Sequence, residues 1–313
     1  MNNNTNNNNN TSLSLVTIHE IFEYIDEDYK LLIHREGSTD EQRAKLLSID
    51  VIMRGELEDE FADVLLCRRF KSKLCNIAAG RGYVSTLRWA REHRCGWSAD
   101  TCAAAARGGR LECLKWLRER GCMWDKDTCA AAVKGGHLEC LVWLREHGCP
   151  LDVTIVCFTA AKYGHLDILI WAREHGCPWD TTTCVYAARY GHLDILIWAR
   201  DHDCPWDSYT CYNAAWHGHL DCLVWAREHG CPWNSDTCVE AAFNGHLDCL
   251  VWAHEHGCPW DSRTCLCAAY GGHLDCLVWA HEHGCPWDPV KCINEAMRNN
   301  HQHIIDWMTS INI

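Results

Sequence analysis

Cysteine and histidine are the residues of this chain with the greatest capacity for chemistry, and both are abundant. The 313 residues include 24 cysteines and 20 histidines. In such numbers they could form a disulfide framework, an array of zinc sites, a thiol nucleophile with its base, or buried thiols that only fill a core. The spacing of the cysteines narrows this choice.

Disulfides and zinc sites both find little support in the sequence. The start, MNNNTNNNNN, is polar and lacks the apolar stretch of a secretory signal. We therefore expect an intracellular, cytoplasmic protein whose thiols stay reduced. Zinc modules usually carry cysteine pairs two or three residues apart, whereas the closest pair here is Cys265-x-Cys267.

The cysteines recur in three positions of a repeating pattern. One follows a threonine, one usually precedes Pro-Trp, and one lies within an apolar segment. At the third position two units carry Ile168 and Ile195 instead, so this position requires a core hydrophobe rather than a metal ligand. We expect structural thiols, no metal and no cofactor. Zinc held by the recurring His-x-Cys pairs, such as His229 and Cys231, stays open as an alternative.

The same recurrence argues against catalysis. The cysteines, histidines and aspartates that could form a nucleophile–base pair occur in most units, whereas an active site is a unique constellation. The sequence contains no phosphate loop, nucleophile elbow or HExxH motif. We therefore predict that the protein is not an enzyme.

Tryptophan reveals the repeat that positions these residues. One ladder runs from Trp89 to Trp307 with gaps of 27 or 28 residues. A second ladder follows it eight residues later, with Leu151 in one of its positions. Of the 17 tryptophans, only Trp216 stands outside both ladders. A fixed period of this kind predicts a repeat architecture.

Each unit of the repeat divides into two short helices. Asp180 and its equivalents, with a threonine three residues on, are suited to cap the first helix, and a glycine such as Gly218 ends it. The second helix has the form LDCLVWAREH, with Leu220, Leu223 and Trp225 on its apolar side. Such a pair buries its apolar face only against further copies. The sequence therefore predicts an all-α, helical-repeat solenoid.

The repeating unit resembles the ankyrin repeat. The alanine pair Ala241–Ala242, the motif Gly245-His246-Leu247 and the ending Glu255-His256-Gly257 match that family in type and spacing, and the resemblance covers about residues 73–313. It implies about nine ankyrin-like helix-turn-helix units, a loop histidine that bonds to the backbone and braces adjacent repeats, and a partner site on the concave face formed by the first helices.

Two departures from the ankyrin pattern stand out. Tryptophan replaces the family's second-helix leucine, and the period is 27 rather than about 33 residues. We therefore expect the projecting hairpin of ordinary ankyrin repeats to be reduced to a tight turn.

Positions at which the units differ are the candidates for binding a partner. The residues before Gly-His carry cations in the earlier units and aromatic side chains in the later ones, and a second position after the helix-start cysteine also varies. Exposed aromatics and arginines often dominate the energetics of interfaces. The predicted partner-binding residues are Lys162, Tyr163, Tyr186, Arg189, Tyr190, Asn213, Trp216, His217, Glu240, Phe243 and Tyr270. Packing of these aromatics between repeats is the alternative interpretation.

The ends of the chain depart from the repeat array of residues 73–313. Residues 1–12 are rich in asparagine, which predicts disorder, and residues 13–72 form an acidic helical segment that does not repeat. Residues 13–70 carry 14 acidic and 7 basic residues, or −7 of the formal net charge of −13. At the other end Asn300 replaces the glycine of a degenerate last unit, as expected of a C-terminal cap.

The acidic segment has two interpretations. It is suited to cover the open face of the first repeat as an N-terminal cap. Residues 13–25 and 65–70 also resemble the two ends of an F-box, which implies a substrate-recognition adaptor of a ubiquitin ligase.

Composition limits the classes of partner. The acidic balance argues against binding nucleic acid, and no run of 18 apolar residues is present to cross a membrane. We predict a monomeric, non-catalytic protein–protein interaction scaffold that binds a protein or peptide along the concave face. A ubiquitin-ligase adaptor, with the ligase core bound to the N-terminal segment, is the alternative, and a zinc-binding protein is the third hypothesis.

Overall fold

The described structure is helical throughout. A computed structural model describes residues 68–311, and residues 1–67 and 312–313 lie outside it. Residues 68–311 form eighteen helices and no strand, which confirms the predicted all-α, helical-repeat fold. In chain order the helices are α1 (Arg68–Arg81), α2 (Val84–Glu92), α3 (Ala99–Arg107), α4 (Leu111–Glu119), α5 (Lys126–Gly135), α6 (Leu138–Glu146), α7 (Val153–Tyr163), α8 (Leu166–Glu174), α9 (Thr181–Arg189), α10 (Leu193–Asp201), α11 (Ser208–Trp216), α12 (Leu220–Glu228), α13 (Ser235–Phe243), α14 (Leu247–Glu255), α15 (Ser262–Gly271), α16 (Leu274–Glu282), α17 (Pro289–Arg298) and α18 (Gln302–Ser310).

These helices form successive pairs, an odd-numbered first helix followed by an even-numbered second helix. The chain divides into two compact units, residues 1–128 and 129–313, with the boundary inside α5. In the first unit α1 packs on α3, and α2 packs on α4. In the second unit each first helix from α7 to α17 packs on the next first helix, and the second helices from α10 to α16 do the same. Each unit is therefore a stack of helix pairs.

Several sequence predictions fall on residues that the structure does not describe. The asparagine-rich segment 1–12 and most of the segment 13–72, with most of its F-box-like residues, lie outside the described range. Between residues 68 and 311, no helix combines the length and the apolar character needed to span a membrane.

The first helices begin at the predicted caps. The side chains of Asp180 and Asp207 accept hydrogen bonds from the backbone N–H two residues on, at 2.9 and 3.0 Å. Thr101 supports its cap as expected, because its hydroxyl accepts a hydrogen bond from the Ser98 N–H at 3.3 Å. The equivalent hydroxyl of Thr183 instead lies buried with no hydrogen-bond partner among the described residues. The aspartate is thus the cap in this later repeat, and the threonine is a core residue.

Each first helix of the second unit from α7 to α15 is followed by a glycine that touches a histidine of the next repeat. Gly218 has φ +72° and Gly245 has φ +75°, in the left-handed region that favours glycine. A Cβ atom on Gly218 would lie 2.5 Å from the ring of His246, and one on Gly245 would likewise clash with the ring of His273. The glycine therefore both turns the chain and admits the histidine.

The loop histidines also bond to the preceding repeat. His165 Nε2 lies 3.3 Å from the carbonyl oxygen of Lys134, and His301 Nε2 lies 2.9 Å from that of Tyr270. The predicted bracing role of the loop histidine is confirmed at these contacts.

Small and medium side chains fill the core between the helices. Cys211, Ala214 and Ala215 of α11 are fully buried, and so are Cys222 and Leu223 of α12. Alanine and cysteine at the contact allow two helix axes to approach closely. A buried leucine adds about 1.5–3 kcal/mol relative to an exposed one, so the stack gains stability with every added repeat.

The second-helix tryptophans other than Trp171 lie at the edge of this core, which corrects the prediction that they form part of its apolar face. Trp225 is half-buried, whereas Leu223 and Ala226 of the same helix are fully buried. Trp225 meets Trp206, in the loop before α11, edge to face with ring centroids 5.9 Å apart. It also stacks on His229 at 4.2 Å. Trp225 and the loop residue Trp206 therefore form an aromatic pair on the second-helix side.

An arginine or a histidine covers the tryptophan of the loop. The Arg227 guanidinium carbon lies 4.5 Å from the ring centroid of Trp233, and its Nη1 donates to the Cys231 carbonyl oxygen at 3.2 Å. One repeat later His254 takes this position, with its ring 3.6 Å from that of Trp260. Burial, more than the neighbouring charges, lowers the pKa of His254, so this ring is neutral at pH 7 and offers no cation–π attraction.

We predict that Gly218→Ala destabilises the protein more than Gly230→Ala. Both glycines have positive φ, so each alanine carries a backbone penalty of about 1–2 kcal/mol. Only the Cβ at Gly218 meets a histidine ring, since nothing lies within 4 Å of a Cβ at Gly230. We expect a further loss of about 1 kcal/mol or more at Gly218, measured as the free energy of unfolding in urea. Equal losses at both positions would contradict a bracing role for the histidine contact.

We also predict that His254→Arg stabilises the protein by about 0.5–1 kcal/mol at pH 7. The arginine would stack on Trp260 as a cation and could reach the Cys258 carbonyl oxygen, as Arg227 reaches that of Cys231. Arg227→His is the matched reverse change and should cost a similar amount. Thermal unfolding of both variants measures the effect, and a loss of stability in His254→Arg would show the prediction to be wrong.

Candidate functional site

The repeated cysteines and histidines are engaged by the scaffold. The thiol of Cys231 lies 3.3 Å from the carbonyl oxygen of the cap residue Asp207. His229 Nδ1 lies 2.8 Å from the carbonyl oxygen of Trp225 and carries the hydrogen, because the oxygen can only accept. Both members of this His-x-Cys pair therefore bond to the backbone.

Among residues 68–311 the structure shows neither a group of metal ligands nor an exposed reactive thiol. Within residues 68–311 no group of three or more histidine, cysteine, aspartate or glutamate side chains could hold a metal ion. The cysteines of this range are thiols, and all but Cys267 are buried. Burial, with a smaller effect of Asp221, raises the pKa of the Cys222 thiol to about 12. Such a thiol stays protonated at neutral pH and is a poor nucleophile.

The predicted partner-binding residues lie on the first helices or, for Tyr190 and His217, directly after them, and several of them meet. Tyr186 stacks on Phe158 with ring centroids 5.6 Å apart and on Tyr190 at 6.2 Å. On the next first helix Trp216 meets Tyr212 edge to face at 5.3 Å. We define the aromatic cluster as Phe158, Tyr163, Tyr186, Tyr190, Tyr212 and Trp216.

His217 links the two parts of this cluster. Its ring lies 6.5 Å from Tyr190 and 6.2 Å from Trp216, nearly parallel to both. Burial lowers the pKa of His217, and the neighbouring Arg189 lowers it further. The neutral form of His217 is therefore favoured at the centre of the cluster.

Two cations lie at the edge of the aromatic cluster. Lys162 Nζ is 5.3 Å from the ring centroid of Tyr163 and 5.7 Å from that of Tyr190. The Arg189 guanidinium carbon is also 5.7 Å from the Tyr190 ring centroid. The sequence predicts cations in the earlier units and aromatic side chains in the later ones. In the structure the two kinds of residue mix, because Lys162 and Arg189 both lie beside the ring of Tyr190.

The remaining predicted residues form a second aromatic pair and two hydrogen bonds. Phe243 stacks on Tyr270 with ring centroids 5.7 Å apart. Glu240 accepts a hydrogen bond from the Tyr212 hydroxyl at 3.2 Å, which connects α13 to the aromatic cluster. The Asn213 amide donates to the Tyr209 carbonyl oxygen of its own helix at 2.8 Å. Asn213 is thus partly engaged within α11.

The aromatic side chains at these positions differ in how far they are exposed to solvent. Tyr163 is 42% exposed, Tyr190 39% and Tyr270 47%. Trp216 and Phe243 are half-buried. The three tyrosines could contact a partner directly, while the half-buried rings hold them in place.

Two members of the aromatic cluster are not among the residues predicted from the sequence. Phe158 and Tyr212 directly follow the helix-start cysteine, at a position where other units carry Ala103, Ala130 or Val185. The signal that marks both residues in the sequence is this variation between units. Their rings matter because each reaches an aromatic side chain among the predicted residues.

A recess lies beside the aromatic cluster. A cleft of about 450 Å³ opens between α7, α9 and the loop at residues 178–180, and Phe158, Trp179 and Tyr186 line it. Helix α7 has 11 residues, whereas α9 has 9, so the repeat is irregular at this point. The recess coincides with the irregular repeat and could accept a side chain of a partner.

We predict that Glu240→Gln stabilises the protein at pH 7 by up to about 1 kcal/mol. Burial raises the pKa of Glu240, although the Tyr212 hydroxyl opposes this. The cost of ionising Glu240 is therefore present above its raised pKa and disappears below the unfolded value of about 4.3. The gain in unfolding free energy should shrink as the pH falls towards about 4. Glu228→Gln, at an exposed glutamate, is the control and should change little; a gain of equal size there would contradict the prediction.

The comparisons with known proteins agree with the repeat pattern. Residues 238–281 match the family model described as ankyrin repeats (many copies). Among solved structures, the ankyrin repeat domain of human ASB11 is similar at 19% identity with a TM-score of 0.44, over 50% of this chain and 84% of that domain. No curated protein matches the chain. Residues 238–281 of this chain are therefore similar to ankyrin repeats, and units with the same helix pair flank them on both sides.

Proposed function

We propose that this protein is a non-catalytic interaction scaffold that holds a protein or peptide against its first helices. Ankyrin repeats are a protein-interaction scaffold, which gives the general class of function. The observation that carries the finer proposal is the exposure of Tyr163 on α7, of Tyr270 on α15 and of Tyr190 directly after α9. Together with the rings that support them, they form the surface that we assign to the partner.

The fold does not require these aromatic residues. In the repeat that contains α5, Ala131 stands in the position of Tyr186 and Gly135 stands in that of Tyr190. The helix pair α5–α6 nevertheless forms. Aromatic rings at these positions therefore add surface chemistry to a repeat that folds without them.

The chemistry of this surface suits a protein interface. Tyrosine offers a rigid apolar ring with a hydroxyl at its end, and such rings often supply most of the binding energy of an interface. Arg189 and Lys162 add charge at the edge of the rings. Truncating one central anchor of this kind typically costs 2 kcal/mol or more of binding energy, or about thirtyfold in Kd.

A ubiquitin-ligase adaptor is the second candidate. It is supported by the F-box-like pattern of residues 13–25 and 65–70, most of which lie outside the described residues. In this case the N-terminal segment would hold the ligase core, and the first helices would hold the substrate. A cytoplasmic location, a monomeric state, and the exclusion of nucleic acid and membranes from its partners stay predictions.

Affinity purification with mass spectrometry tests the first-helix surface. We predict that Tyr190→Ala combined with Tyr270→Ala loses partners that the wild-type protein retains, while the melting temperature changes little because both rings are substantially exposed. Met123→Ala is the control, since Met123 is 68% exposed and lies in the loop after α4. It removes an exposed apolar side chain away from the first helices and should retain every partner.

Three outcomes separate the candidates. Retention of all partners by the double variant would show that the first-helix surface is not the binding site. A large drop in its melting temperature would instead identify the tyrosines as packing residues. Deletion of residues 1–67 should remove a ligase core selectively if the adaptor candidate is right, and unchanged partners would rule that candidate out.

A further inference from the structure

Two positive charges lie beside a single tyrosine ring. Lys162 and Arg189, from successive first helices, each lie 5.7 Å from the ring centroid of Tyr190. Neither takes part in any of the ion pairs found within residues 68–311. Like charges held near one another repel unless an anion offsets them. The arrangement therefore favours an anionic partner at Tyr190.

A third group at this place can become cationic. The ring of His217 lies 6.5 Å from Tyr190, on the side of the following repeat. Its pKa is lowered first by burial and then by Arg189, His219 and His246. An anion beside Tyr190 would favour protonation of His217, because it would offset these effects.

The positive charge continues in one direction and ends in the other. Lys134 occupies the position of Lys162 one repeat earlier and is exposed. Arg189 takes this position in the repeat after Lys162, and Trp216, Phe243 and Tyr270 take it in the three repeats after that. The carboxylate of Glu240 lies on α13. Arg107 holds the same position in the repeat before Lys134, so four successive repeats carry a cation here. Three of these cations, Lys134, Lys162 and Arg189, belong to residues 129–313 and lie next to rings that could receive apolar side chains.

We infer that the first helices from α5 to α11 bind an extended acidic peptide segment, with its carboxylates at Lys134, Lys162 and Arg189 and its apolar side chains on the aromatic cluster. This inference rests on the proposed function and names its class of partner. Packed helices lie about 8–10 Å apart, and an extended chain rises about 3.3 Å per residue. One repeat thus corresponds to about three peptide residues, so acidic residues at every third position match successive cations.

A peptide fits this surface better than a nucleic acid does. Stacking rings and cations can also bind a single strand of RNA. The negative charge of Glu240 on the adjoining helix and the formal net charge of −13 of the whole chain both oppose a continuous polyanion. A segment with a few carboxylates and intervening apolar residues avoids much of this repulsion.

Fluorescence anisotropy with labelled peptides on the full chain tests the inference. The glutamate peptide has about 12 residues, with glutamate at every third position and small or apolar residues between them, and the glutamine peptide replaces each glutamate by glutamine. We expect the glutamate peptide to bind and the glutamine peptide to bind at least roughly tenfold more weakly. Lys162→Gln combined with Arg189→Gln should weaken binding of the glutamate peptide by roughly tenfold at low salt.

Two controls and one competitor make the result specific. Lys291→Gln also removes an exposed cation from a first helix, but at α17, and should leave the affinity unchanged. The wild-type affinity should increase as the pH falls from about 7.5 to about 5.5, and His217→Gln should remove most of this increase. A single-stranded RNA of the same length should bind less tightly than the glutamate peptide.

Four results would overturn the inference. They are equal binding of the two peptides, an equal loss in Lys291→Gln, tighter binding of the RNA, and no binding of the glutamate peptide. If a captured partner requires Tyr190 and Tyr270 while the glutamate peptide does not bind, the proposed function stands and the inference of an acidic peptide partner is wrong. If no captured partner requires these tyrosines and the glutamate peptide does not bind, both proposals fail.

Discussion

Close contact between neighbouring helix pairs is the constraint on which the rest of this structure depends. A pair of nine-residue helices has too little apolar area to form a core of its own, so its faces must be buried against the next pair. Alanine and cysteine at the contact allow the first helices to pack closely. Gly218 then admits the ring of His246 from the next repeat, where a Cβ would have no room. Any larger residue at these positions would separate the repeats.

This constraint explains why the most reactive residues of the chain do structural work. A thiol is small enough for the helix contact and can donate weakly to a backbone oxygen, as Cys231 does to Asp207. The histidine that follows the second helix closes it by bonding to a carbonyl oxygen four residues back, as His229 does at Trp225. At Cys222 burial raises the pKa of the thiol and protects it from ionisation. The abundance of cysteine and histidine thus follows from repetition of a few structural positions.

The two sides of the helix pairs differ in how their aromatic residues are used. On the second-helix side tryptophans recur in nearly every repeat. They contact one another or an arginine or histidine, as Trp225 contacts Trp206 and Arg227 covers Trp233. On the first helices the aromatic residues vary between repeats, and Tyr190 attracts two cations that lack a carboxylate partner among residues 68–311. A recurring contact stabilises the stack, whereas a varying one is available for recognition. This difference is the reason for placing the partner on the first helices.

The sequence by itself determined the repeat, its helix pairs, its caps and its glycine turns, because each depends on local chemistry that recurs with the period. It also placed Tyr186, Tyr190 and Trp216 among the positions that vary. Only the tertiary structure decided which rings meet, since Phe158 reaches Tyr186 across two helices that the sequence separates by a full repeat. It also decided the depth of Trp225, which lies at the edge of the core because small residues already fill the helix contact. Finally, the gathering of Lys162 and Arg189 around Tyr190 depends on how adjacent repeats stack, which no single unit encodes.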